Sequence, residues 1–395
     1  MIFGWSMADF NDLIFLLIPY ALIARFCVFK KWNLAPLNLL VFFFFFVLSR
    51  SESANLQHLL MTVLSLFGFS VLTFFLSASK KINSFFWVSL LTLVALVFFK
   101  SRLNVTQIFG ISFFLCRHVL FSLERTVKTR PTSLWTFLSY AYSPLLFFIG
   151  PITSFDRFEA PNNSPKSDLL TLERLILGYF KLIFISQLFF NISSASISES
   201  GFSFSLLDLI CGHLFDIFFV YFYLSGMSDI SISLGRFLGH EIDENFNRPF
   251  LASNILEYWK RWHMSLAGFV RSAFYTPLSL GLSRRLPRNR RNLGNVLVTA
   301  LSFILLGFLH FQNSLGLALG LYHLTGIVIC HYFGGIMRNL GWMTTLHQST
   351  PYRIASYTLT WLFISTSMVF FRFKETGELI VFLKQTWLML FVNQS

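Results

Sequence analysis

Apolar and polar positions come in blocks along this chain. The runs Leu13 to Ala24, Leu37 to Leu48, Leu59 to Leu76, Phe85 to Phe99, Leu134 to Ile149 and Leu175 to Phe190 are almost wholly apolar, and Lys, Arg or Ser clusters separate them. Each run predicts a helix, at a length approaching the ~20 residues that cross a bilayer. Several fall short, and Lys181 interrupts the last. Short or broken helices are tolerated where other helices or a wet cavity surround them, so re-entrant and half-membrane pieces are expected beside full spans, about ten or eleven segments in all.

Composition fixes the class. With 52 Phe, 55% hydrophobic and 12% charged residues in 395, a soluble globule could not hide its apolar surface, and the chain reads as an all-α polytopic membrane protein. The net charge of +13 does not point to nucleic acid, because the basic residues sit in short loops between apolar runs, which is the positive-inside pattern. The loop Ser283 to Arg291 carries five Arg in nine residues and is placed in the cytoplasm beside anionic lipids. Met1 to Asn11 lacks the basic region of a cleavable signal, so the first span is expected to be retained. Cys27, Cys116, Cys211 and Cys330 stand singly in or beside apolar runs and read as small buried hydrophobes, with no metal or disulfide spacing. No HExxH, CxxC, GxSxG or P-loop pattern occurs.

The chain reads as a single membrane domain, with breaks at the polar loop Glu159 to Asp168 and the Ser-rich loop Asn191 to Ser205. Ionisable and amide groups concentrate after Gly110 and above all between Ser225 and Leu278. A helix is predicted over Ile255 to Arg271, with Trp259 and His263 four apart on one side and Lys260 and Arg261 on others. A helix lying in the membrane interface accounts for these basic residues and for Trp259, Trp262 and Arg271. It accounts less well for Asp229, Glu244, Asn245, Asn247 and Arg248 just upstream, which must be paired or wet inside a membrane.

His310 ends the apolar run Val296 to Leu309, which starts just after the arginine loop. At 1.5 Å per residue the run is roughly 20 Å long and carries His310 deep into the bilayer. An imidazole there is costly unless neutral and hydrogen-bonded; it is either a satisfied helix-packing histidine or, by the default for an intramembrane ionisable group, a functional one. His323 lies in a second apolar run that could form a hairpin with the first, and reads as a packing histidine.

An ordered set of short elements is similar to one family. Gly110-Ile111-Ser112-Phe113, Gly150-Pro151-Ile152, Gly226-Met227-Ser228-Asp229, the stretch Glu244 to Pro249 (ENFNRP), the stretch Tyr258 to Leu266 (YWKRWHMSL) and Val369-Phe370-Phe371-Arg372 resemble the signatures of the membrane-bound O-acyltransferase family. The branch is the bacterial one of teichoic-acid D-alanyl transfer and alginate O-acetylation. The resemblance covers roughly Gly110 to Arg372 and departs from the pattern at Leu309-His310-Phe311, where the family has WHG.

The resemblance implies a ring of helices around a thin core with a funnel on each face, residues 1–105 as scaffold, 106–375 as core and 376–395 as a C-terminal helix. It implies transfer of a D-alanyl or acetyl group from a cytoplasmic thioester to a hydroxyl on an extracytoplasmic glycan, polyol or intermediate acceptor. The donor would be carrier-protein phosphopantetheine or coenzyme A, with no bound cofactor or metal. An extracytoplasmic acyltransferase could act as partner, in a bacterial cytoplasmic membrane. His310 falls on the family's embedded histidine, as general base, and His263 on that of its RWH element, positioning the donor. Lys260, Arg261 and Arg271 would attract its phosphate or an acidic carrier; Trp259, Trp262, Asn245, Asn247 and Asp229 complete the expected substrate-binding set. A transporter or flippase, and a non-catalytic scaffold of the same fold, are the alternatives, the latter prompted by Leu309 and Phe311.

Overall fold

The computed structural model describes residues 15–48, 56–79, 83–100, 105–127, 131–147, 150–160, 168–198, 206–311, 313–339, 349–373 and 375–391. The start of the chain, most of the polar loop before Asp168, the end of the Ser-rich loop, Gln312 and His347 lie outside them.

Every regular element among the described residues is helical. The first are α1 (Leu17–Phe29), α2 (Ala35–Leu48), α3 (Leu56–Ala78), α4 (Ser84–Lys100), α5 (Val105–Val127), α6 (Leu134–Ala141) and α7 (Asp168–Phe180). A π-helical turn, Lys181–Ile185, leads to α8 (Ser186–Ser198) and the long α9 (Leu206–Leu238). There follow α10 (Ile255–Trp259), α11 (Met264–Val270), α12 (Thr276–Arg285), α13 (Arg291–His310), α14 (Ser314–Asn339), α15 (Thr350–Thr366) and α16 (Thr376–Phe391). Among the described residues, six stretches are long and apolar enough to cross a membrane: Leu60–Ala78, Asp168–Ser193, Gly212–Leu238, Arg288–His310, Ser314–Met337 and Thr350–Phe371. The chain is a multi-pass membrane protein.

The chain divides into two compact units. One holds Gly4–Ile183 with Leu224–Glu244; the other holds Met1–Phe3, Phe184–Tyr223 and Asn245–Ser395.

In the first unit the run Leu134 to Ile149 does not form the expected span. Pro144 has no N–H to continue a helix; α6 stops at Ala141 and only a helical turn, Pro144–Phe147, follows. The helical turn is buried throughout, as are Phe137, Leu138, Tyr140 and Ala141 of α6. Phe42 of α2 packs on Phe114, Tyr142 and Phe147 at ring distances of 6.0, 4.7 and 4.6 Å. Two glycines of the recognised elements are steric requirements: a Cβ on Gly110 would meet the Phe147 ring at 2.8 Å, and one on Gly150 the Leu145 carbonyl oxygen at 2.0 Å. The fully buried Arg117 donates to the Phe113 and Tyr140 carbonyls at 3.4 and 3.1 Å, and the Tyr140 hydroxyl donates to Thr153 O at 2.7 Å.

Close approach of α7 and α9 organises the charges of this unit. A Cβ on Gly226 would meet Gly178 O at 2.7 Å, so glycine at both positions lets the backbones touch. The π turn then starts at Lys181, one turn beyond Gly178. Arg174 Nε lies 2.8 Å from Asp229 Oδ1 and Lys181 Nζ 2.7 Å from Asp229 Oδ2. Arg174 also grips Glu244, at 2.6 and 2.5 Å. Charges that would be costly alone in a membrane are thereby paired.

In the second unit α13 and α14 form an antiparallel hairpin with a glycine seam. A Cβ on Gly307 would meet Gly316 O at 1.9 Å, and one on Gly320 would meet Phe303 O at 2.5 Å. Leu315, Leu319, Val369, Phe370 and Leu379 form one buried cluster beside this hairpin, with Phe311 and Phe371 packed on it.

Candidate functional site

The site is built on the second unit and starts from Asn245. Its buried side-chain oxygen accepts from the Ser265 hydroxyl at 2.9 Å and meets His263 Nδ1 at 3.0 Å. Its main-chain oxygen accepts from Met264 N at 2.8 Å, and Asn247 N donates to Arg261 O at 2.9 Å. These bonds pull the chain out of helix between Lys260 and His263. The continuous helix expected over Ile255 to Arg271 is therefore replaced by α10, a turn, α11 and a second π turn, Arg271–Tyr275. His263 occupies the left-handed region at φ 45°. A non-glycine residue held there costs roughly 1–3 kcal/mol and is characteristic of functional positions. Trp259 and His263 thus do not share one helical face.

Protonation follows from these contacts. An amide oxygen can only accept, so His263 carries its proton on Nδ1, and Nε2 is the unprotonated ring nitrogen. Burial, and next the charge of a protonated His310, push the His263 imidazole down to about 3. His310 closes α13 with its Nδ1 2.8 Å from the Leu306 carbonyl oxygen. The same rule places the proton on Nδ1 and leaves Nε2 basic. The His310 ring meets Phe371 edge-on at 5.7 Å. Phe311 rests on that same ring at 5.0 Å, so one of the two residues that depart from WHG is packed into the hydrophobic cluster.

Trp259 reaches the hairpin, with its ring 5.3 Å from Phe303 and 5.1 Å from His323. Phe303 and His310 lie two turns apart on α13 and so share a face. His323 is buried among Trp259, Tyr322 and Phe363. The hairpin thus gathers His310, Trp259 and His323, and His310 is within electrostatic range of both His263 and His323.

The remaining predicted residues divide. Trp262 is buried, stacked on Tyr258 at 5.3 Å. Arg261 pairs with Glu257 at 3.1 Å. Lys260 and Arg271 are exposed and make no ion pair among the described residues. The Asn247 residue is exposed and its backbone ties to Arg261. Asp229 belongs to the other unit, and both of its carboxylate oxygens are committed to cations.

Sequence reasoning missed Ser265, Phe371 and the partners of Arg372. Arg372 donates to Asp216 Oδ2 from Nε at 2.9 Å and from Nη2 at 2.5 Å, and to Ser193 at 3.0 Å, while Ser193 donates to Asp216. Asp216 is fully buried. A carboxylate inside an apolar run was the available signal; its partner lies 156 residues away. The pair anchors the turn that presents Phe371 to His310.

The chain is similar to several known proteins. A probable alginate O-acetylase of Azotobacter vinelandii is 34% identical over 160 residues, 40% of this chain and 30% of that protein. A teichoic acid D-alanyltransferase of Streptococcus thermophilus is 26% identical over 265 residues, 62% of this chain and 63% of that protein. A peptidoglycan O-acetyltransferase of Helicobacter pylori is 28% identical over 268 residues, 64% of this chain and 48% of that protein. The chain thus spans less than two thirds of the length of each of these relatives. The model of the membrane-bound O-acyltransferase family matches residues 29–373, and with most of its length so matched the chain belongs to that family.

Proposed function

We propose that this protein is an O-acyltransferase that moves a short acyl group, D-alanyl or acetyl, from a cytoplasmic thioester to the hydroxyl of an extracytoplasmic cell-envelope acceptor. The observation that carries this reading is the His310 tautomer: Nδ1–H is held by Leu306 O, and Nε2 is left as a base at the end of a membrane helix. In this scheme Nε2 takes the acceptor hydroxyl proton as the oxygen attacks the thioester carbonyl. The tetrahedral intermediate collapses to the ester, and the departing thiolate takes the proton back from the imidazolium. Such a base contributes roughly 100- to 10,000-fold in rate.

His263, held by Asn245, whose side-chain oxygen also accepts from Ser265, orients the thioester beside Trp259. Lys260 and Arg271 attract the donor's phosphate or an acidic carrier. The reading includes a core over 106–375, a ring of about ten or eleven segments with a funnel from each face, a bacterial cytoplasmic membrane and an extracytoplasmic transferase as partner. The relatives' names supply the acyl groups and acceptor types. His310→Gln, purified and reconstituted in vesicles with acyl-labelled carrier or coenzyme A, is expected to lose ester formation by at least about 100-fold at unchanged membrane level. Turnover within a few-fold of wild type would overturn the assignment of the base.

A further inference from the structure

A cavity of about 1090 Å³ opens between α14, α15 and the Ser253–Ile255 segment. It lies just above the roughly 300–1,000 Å³ range of small-molecule sites. Its walls are mainly apolar, and Arg353 is the one charged residue among those lining it. Arg353 is exposed and makes no ion pair among the described residues. Ile329, Phe333 and Leu359 on the walls are 62%, 46% and 66% exposed. The opening is therefore lateral, on faces that meet acyl chains in a bilayer.

The topology sets its depth. Gly307 packs on Gly316 and Gly320 on Phe303, so α14 runs back toward the arginine loop from which α13 starts. Tyr322 OH donates to Phe363 O at 2.8 Å, near the C-terminal end of α15, while Met337 and Arg353 line the other end of the cavity. Arg353 thus sits at the arginine-loop end, at head-group level by the positive-inside rule. The wall from Arg353 to Phe363 spans ten residues, about 15 Å of helix rise, which matches half of the ~30 Å hydrocarbon core. Phe363 closes the inner end: its ring stacks on Tyr322 at 4.3 Å, over Gly326, where a Cβ would meet it at 2.5 Å.

We propose that this groove binds one anionic phospholipid of the cytoplasmic leaflet, its phosphate on Arg353 and one acyl chain along α14 and α15 down to Phe363. A zwitterionic lipid offers the same phosphate with its charge offset by a cationic head group, so that net attraction to the guanidinium favours the anionic lipid, and a free phosphate would leave the apolar walls uncovered. Asn254, which lines the groove, caps α10 by accepting from Glu257 N at 2.9 Å, so an occupied groove braces the helix that carries Trp259.

The full chain, equilibrated with vesicles of equimolar phosphatidylglycerol and phosphatidylcholine and then delipidated in mild detergent, tests this by native mass spectrometry. Wild type should retain one lipid per chain, with phosphatidylglycerol favoured about fivefold or more over its bulk ratio. Arg353→Gln should bring that ratio to the bulk value, and Arg353→Lys should keep it. Ala355→Trp, placed on the exposed side of the groove, should abolish retention of either lipid. An unchanged preference in Arg353→Gln, undiminished retention in Ala355→Trp, or dimers that Ala355→Trp breaks in place of lipid retention would each overturn the proposal. The readout is binding, so it stands or falls separately from the acyltransferase reading.

Discussion

His263 combines three costs: a left-handed backbone, burial at 8% exposure and a neutral ring enforced in a dry setting. Asn245 offsets them by accepting from the ring, and Ser265 in turn fixes Asn245, which is consistent with the proposed positioning role of His263. The neutral ring has a pH consequence. Folded His263 binds its proton only near pH 3, whereas in an unfolded chain it does so near 6.5. Its contribution to stability is therefore fully present above pH ~6.5 and is lost as pH falls from there toward 3. Thermal unfolding of the solubilised protein should show a melting temperature that drops below pH 6.5, with a smaller drop in His263→Gln. Equal pH slopes in the two proteins would contradict the assignment of a buried neutral imidazole. Asn245 and His263 were legible in the sequence as members of a polar, patterned stretch. Their direct bond was not, because it joins residues 18 apart across a turn that local helix propensity does not disclose.

The hairpin of α13 and α14 carries the candidate base, and its geometry depends on glycine. Gly307, Gly316 and Gly320 let the two helices meet backbone to backbone, the close approach that small residues permit between membrane helices. Gly316→Ala would place a methyl at 1.9 Å from the Phe311 carbonyl oxygen. The hairpin must then spread next to His310. An overpacking cost of about 1–3 kcal/mol or more is expected, read as a lower melting temperature with a disproportionate loss of any acyl transfer. Gly335→Ala, on the same helix and with open space around it, serves as control and should be close to neutral. At this scale most elements were readable, because apolar runs of near-spanning length mark helices regardless of context. The exceptions are instructive. The run Leu134 to Ile149 breaks at Pro144, and the segment Ile255 to Arg271 breaks where Asn245 supplies competing hydrogen bonds. Lys181, read as an interruption, starts a π turn whose reason is Asp229, 48 residues on.

Across the whole chain, ion pairs between residues far apart in sequence mark what composition could not show. Asp216 with Arg372, and Asp229 with Arg174 and Lys181, remove most of the cost of charges in helices whose length and apolarity fit them to cross a bilayer. Basic residues without such partners define orientation. Arg284, Arg285, Arg288, Arg290 and Arg291 are all exposed and form no ion pair among the described residues, and in the proposed orientation they meet anionic head groups with their loop in the cytoplasm. From that anchor the stretch Arg288–His310 has 23 residues, about 35 Å of helix, enough to carry His310 away from the cytoplasmic face. With the native cysteines replaced, Ser283→Cys should react with a membrane-impermeant maleimide in inverted vesicles and not in intact cells or right-side-out vesicles. Labelling from the outer face would invert the topology, and with it the assignment of Lys260, Arg271 and the Arg353 groove to the donor-facing leaflet.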